Sequence, residues 1–139
     1  MINYYLIKYF VQDAWGFHTM SRKIESYHDL IVWQKSHELV LEIYSITNKF
    51  PKREHASLAR RLRESAIDIP MNIATGFKKR GGRTKIHFYL AALTALESVR
   101  YGLILIQDLK YVKSTVDLQG ECDNVEKMLK RLIRSIASS

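Results

Sequence analysis

The chain has 139 residues and a net charge of +8, with 47% hydrophobic and 26% charged residues. That length carries one domain with a core of its own, and the composition is that of an ordinary globular chain without low-complexity tracts or solenoid repeats. Its single cysteine, Cys122, excludes an intrachain disulfide and fits a reducing compartment, expected to be the cytoplasm.

Residues 1–19 stand apart. They hold Tyr4, Tyr5, Tyr9, Phe10, Trp15 and Phe17. Lys8 and Asp13 interrupt the stretch, and it is shorter than the about 20 apolar residues a membrane span needs. No basic n-region or small-residue cleavage site is present, so a secretory signal is not expected. Helical patterning begins after Met20. The expectation is an N-terminal extension over 1–19, upstream of a natural start at Met20, and a single domain over 20–139. An aromatic arm packing on a neighbour is the rival reading.

Four helices follow in chain order. The first is expected over Asp29–Asn48, with Asp29 as N-cap and a broad apolar face that includes Trp33, Leu39, Val40 and Ile43. Phe50-Pro51 ends it, because the residue before proline is pushed out of the α region. The second is expected over Glu54–Thr75, its stripe formed by Leu58, Leu62, Ser65, Ile69 and Ile73. Pro70 lies inside it, which predicts a kink between Ala66 and Pro70. Asn72 stands ready to satisfy a freed carbonyl or to bridge to another helix, and Gly76 is the expected stop. The third helix is expected over Thr84–Tyr111 and the fourth over Ser114–Ala137, the latter opened by a Ser114–Asp117 capping pair. Leu118, Cys122, Val125, Leu129, Leu132 and Ile136 face inward on the fourth. No segment reads as a strand. Short connections favour antiparallel neighbours, giving an all-α, up-down-up-down four-helix bundle. Trp33, Pro70, Asn72 and Gly76 are read as structural residues within it.

The third helix carries a further implication. Successive residues turn by about 100°, so Leu103, Ile104, Leu105 and Ile106 place apolar groups almost all round the axis. Such a helix needs burial on every side, and a chain this short has too few helices to supply it. The four residues are therefore the expected interface of a homo-oligomer.

Catalytic signals are weak. His37-Glu38 begins like the zinc motif H-E-x-x-H, but Leu41 stands where the second histidine belongs. The five histidines show no ligand spacing, so no metal and no cofactor is expected. Gly76 to Thr84 resembles a phosphate loop with one residue too many and an arginine in place of the lysine, and it follows a helix where a P-loop follows a strand. Glu64 and Asp68 lie four residues apart without a nucleophile, and Glu64 is expected to pair with Arg60 or Arg61. The chain is not read as an enzyme.

The positive charge is concentrated. Lys78, Lys79, Arg80, Arg83 and Lys85 fall within eight residues, next to the amides that open the third helix, a setting that attracts phosphate. Lys52, Arg53 and Arg60 are expected to extend this surface. Few aromatics lie nearby in sequence, Phe77 excepted, so contact is expected mainly with phosphates. Lys127, Lys130, Arg131 and Arg134 share one helix face and are read as a solvated surface.

Three segments carry a resemblance: Asp29-Leu-Ile-Val-Trp-Gln-Lys35, then Phe50-Pro51, then Ile69-Pro-Met-Asn-Ile-Ala74 followed by Gly76-Phe77. In combination they resemble the 23S rRNA intervening-sequence protein family, also called S23 or four-helix-bundle proteins, over roughly Tyr27 to Ser135. Thr75 replaces the family's usual glutamate and Thr94 its usual mid-helix glycine. The resemblance implies an antiparallel four-helix bundle assembled as a homopentameric ring, in a bacterial family whose members are often encoded within 23S rRNA genes. The accessory proteins of diversity-generating retroelements look similar in fold. They imply a basic ring that binds nucleic acid and a reverse transcriptase. The expected function is thus a non-catalytic, oligomeric RNA-associated module. The alternative is a structural or protein-interaction ring, for example a reverse-transcriptase accessory protein. No membrane partner is expected.

Overall fold

The computed structural model describes residues 24–139; the N-terminal extension and Met20 lie outside the described residues. A 3-10 turn at Tyr27–Asp29 leads into α1 (Ile31–Thr47), a single-turn α2 (Lys52–His55), α3 (Leu58–Lys78), α4 (Gly82–Asp108) and α5 (Val116–Ala137). The four long helices pack against each other.

Contacts at both ends of the helices fix their directions. Gly76, late in α3, faces Tyr89, early in α4, while Leu62, early in α3, faces Gly102, late in α4. Gly82, opening α4, touches Ile136 near the end of α5. Arg63, early in α3, donates to Thr47 Oγ1 (2.7 Å) and Asn48 Oδ1 (2.9 Å) at the end of α1. Each neighbour therefore runs antiparallel to the last.

The core follows the stripes. Leu39, Ile43, Leu62, Ile69, Ile73, Leu96, Val99, Val125 and Leu129 are buried. Cys122 is also fully buried, and burial pushes its thiol up to about 11. Arg100 ties α4 to α5 through Asp123 (2.6 Å) and Glu126 (3.0 Å), with Glu97 of its own helix at 3.1 Å.

Local expectations are corrected in several places. Asp29 does not cap α1. Its carboxylate accepts from the Ser26 amide (3.1 Å) and completes a capping box on the 3-10 turn. The second predicted helix is split, because the chain breaks at Ala56-Ser57 and the Ser57 hydroxyl donates to Glu54 (2.8 Å). Tyr111 also donates to Glu54 (2.8 Å) and anchors α2 to the connection between α4 and α5. Thr115 replaces Ser114 as N-cap of α5, and its hydroxyl donates to Gln107 (3.1 Å).

Gly76 does not stop α3; the helix continues to Lys78. Its lack of a side chain serves packing, since a Cβ there would lie 2.8 Å from Tyr89 Cε1. Pro70 is buried within α3 and denies an amide to the Ala66 carbonyl. Asn72 serves neither that carbonyl nor another helix: its Nδ2 donates to the Asp68 carbonyl at 2.8 Å.

Helix α4 resolves the all-round apolar stretch. Leu103 and Ile106 are fully buried in the chain's own core, whereas Ile104 is 52% exposed and Leu105 half-buried. A turn of 100° per residue sends alternate pairs to opposite sides, so Leu103 and Ile106 are withdrawn from the predicted interface. By length and composition alone α4 would suit a membrane span; here its inner apolar residues form the bundle core.

Candidate nucleic-acid interface

Because α3 and α4 are antiparallel, the three residues between them lie at one end of the bundle. Lys78 closes α3, Lys79 and Arg80 bridge, and Arg83 opens α4; all four are exposed. None makes an ion pair among the described residues. The bridge turns at Gly81, whose φ of +84° lies in the left-handed region that favours glycine. Gly76 to Lys78 are helical, so the resemblance to a phosphate loop ends in a tight helix–helix turn.

Lys85 differs from its neighbours. Its ammonium donates to the carbonyls of Phe77 (2.5 Å) and Gly76 (3.3 Å). Both are among the last acceptors of α3, where the helix's own amides run out; the Gly76 carbonyl also takes the Lys79 amide (3.2 Å). Lys85 is thus a cap, and its charge is largely committed.

The opposite end of α3 holds the predicted supporting residues. Lys52 and Arg53 are on α2, and Arg60 is two residues into α3. Eighteen residues separate Arg60 from Lys78, about 27 Å along the helix. Arg60 is also paired with Glu64 at 3.0 Å, as expected. Lys52, Arg53 and Arg60 therefore do not extend the basic turn. Antiparallel packing substitutes the end of α5: Arg131 and Arg134 are exposed on its last turns, beside the Ile136–Gly82 contact. Their helical spacing was visible in the sequence; their end of the bundle required topology.

Aromatic groups are closer than sequence distance suggests. Lys78 Nζ lies 5.7 Å from the Tyr27 ring centroid, Lys79 Nζ 5.3 Å from Phe88 and Lys85 Nζ 5.4 Å from Phe77. Such distances permit cation–π attraction. Tyr27 adjoins Trp33, whose ring stacks on His37 (5.3 Å, 9°). Trp33 is buried, and Glu38 pairs with Lys35 at 3.5 Å. The His37-Glu38 dipeptide is thereby built into packing. Among the described residues no three metal-ligating side chains form a group.

Carboxylates also gather in one place. Between α1 and α5, near the other end, Glu42, Asp117 and Glu121 border one shallow cleft. Partial desolvation, then repulsion from Glu121, Glu38 and Asp117, raises the Glu42 carboxyl above its ordinary value, against an opposing Lys35. A second groove of about 500 Å³ lies between α3 and α4, bordered by Arg61, Ser65, Glu97, Tyr101 and Leu105. Tyr101 (65% exposed), Ile104 and Leu90 (50%) leave apolar surface uncovered on the outer side of α4.

These features define a basic, all-α protein of four long helices packed against each other. The family model for 23S rRNA-intervening sequence protein matches residues 28–131, and the chain belongs to that family. The family has no known catalytic activity. No curated protein matches the chain.

Proposed function

We propose that the protein is a non-catalytic nucleic-acid-binding module that works as a homo-oligomer in the cytoplasm, with RNA as its partner. The observation that carries this reading is the exposed, unpaired set Lys78, Lys79, Arg80 and Arg83 at one end of the bundle, joined there by Arg131 and Arg134. Cations without carboxylate partners keep their charge available for phosphates. Family membership adds weight through its association with ribosomal RNA genes.

Assembly rests on the outer side of α4. Leu90, Tyr101 and Ile104 are large and exposed, and a second copy would remove them from water. Cyclic closure joins unlike patches on successive subunits; the number five comes from family resemblance. A ring would repeat the basic end, and several weak phosphate contacts on one polymer gain avidity.

The test is fluorescence anisotropy with structured RNA between about 50 and 200 mM salt, where phosphate-driven binding falls steeply. Sedimentation at micromolar protein reports the assembly. Salt-sensitive binding by an oligomer supports the reading. No binding at the lowest salt, with the oligomer intact, favours the alternative of a protein-interaction ring, including one that serves a reverse transcriptase.

A further inference from the structure

The groove between α1 and α3 opens beside the basic end. It has a volume of about 280 Å³ and is bordered by Tyr27, Trp33, His37, Pro70, Met71 and Ala74. That is near the lower size of small-ligand pockets, about 300 Å³. Its walls are apolar and aromatic: Trp33 and His37 are already parallel, and Met71 is 58% exposed at the edge. Met71, Ala74 and Lys78 follow one another at three- and four-residue spacing, so one face of α3 leads from the groove to a cation. That cation lies over Tyr27, which borders the same groove.

We infer that this groove seats an unpaired nucleobase, with the adjoining phosphate held at Lys78, so that the protein prefers single-stranded RNA to duplex. The inference rests on the nucleic-acid reading above and deepens it. A flat, polarisable base suits an aromatic and thioether wall, while its backbone carries the charge that complements Lys78, Lys79 and Arg80. A base within a duplex is stacked on its neighbours and does not enter; an unpaired one swings out freely. Aromatic stacking of this kind is sequence-tolerant.

The experiment compares a 12-nucleotide oligoadenylate with a 12-base-pair RNA duplex by anisotropy at fixed salt. The wild-type chain should bind the single strand more tightly, by about fivefold to a hundredfold, the range of one stacked base. The double variant His37→Ala with Met71→Ala removes the accessible wall without altering the basic turn. It should erase that preference and leave duplex binding unchanged. Tyr27→Leu, which keeps apolar bulk and loses the aromatic face, should act in the same direction; circular dichroism and sedimentation check that fold and assembly survive. Equal binding of both probes, or a double variant that weakens neither selectively, overturns the inference while the phosphate-binding reading stands. Disassembly of the double variant overturns it too, because a second copy would then cover the groove. Absence of binding to either probe overturns both.

Discussion

Gly76 and Tyr89 touch across the α3–α4 interface, where a Cβ on Gly76 would come 2.8 Å from Tyr89 Cε1 and 3.0 Å from Phe88 Cβ. Tyr89 is fully buried and cannot swing into solvent without opening the core. Gly76→Ala should therefore destabilise the fold by about 1–3 kcal/mol, the usual range for overpacking. Chemical denaturation measures it; an unchanged midpoint would mean that the interface is loose. The better helix propensity of alanine, worth about 1 kcal/mol, offsets part of the strain.

Cys122 should be chemically silent in the folded chain. Burial removes access and pushes its thiol up to about 11, while the thiolate is the reactive form. At pH 8 iodoacetamide should label it only as fast as the protein opens. Labelling in denaturant should be complete and rapid. Fast labelling under native conditions would contradict the packing of α5.

Glu42 links stability to pH. Its carboxyl is raised in the folded chain by partial desolvation and by neighbouring carboxylates, so the folded state holds the proton more tightly than the unfolded state does. Its contribution is full below about 4.5, the ordinary glutamate value, and is lost as pH rises through the raised value. At neutral pH the ionised side chain is a liability. Glu42→Gln should raise the melting temperature slightly at pH 7, and the gain should vanish below pH 4.5. A gain that persists in acid would point to a cause other than charge.

Ile104 and Leu103 separate assembly from folding. Ile104 is 52% exposed and Leu103 fully buried. Ile104→Glu should leave the circular dichroism of the subunit intact and weaken self-association by about tenfold or more, because an unpaired charge resists burial. Leu103→Glu should instead unfold the chain. Sedimentation showing Ile104→Glu assembled as wild type would remove α4 from the interface.

The fold was largely legible in periodicity. Stripes such as Leu62, Ile69 and Ile73 report one side of one helix, and they survive as core. Several misread points were decided by partners distant in sequence, and others by local turn geometry. Gly76 looks like a stop until Tyr89 is brought against it. Leu103 to Ile106 look uniformly interfacial until one side is packed on α3 and α5. Asp29 resembles an α1 cap because its use on the Ser26 turn depends on local geometry. The basic turn was legible from composition, but its extent was not: local charge spacing cannot reveal that Arg60 lies a helix length from Lys78, or that Tyr27 lies beside it.

The central claim is that one end of the bundle, and not its overall charge, binds RNA. The direct measurement is anisotropy of a structured RNA against two triple variants with equal loss of charge. Lys78, Lys79 and Arg80 changed to alanine should weaken binding by about tenfold or more and flatten the salt slope, since each lost phosphate contact removes released counterions. Lys52, Arg53 and Arg60 changed to alanine, at the far end of α3, should bind nearly as wild type. Equal weakening by both sets would contradict the account and reduce the interaction to non-specific attraction by a basic protein.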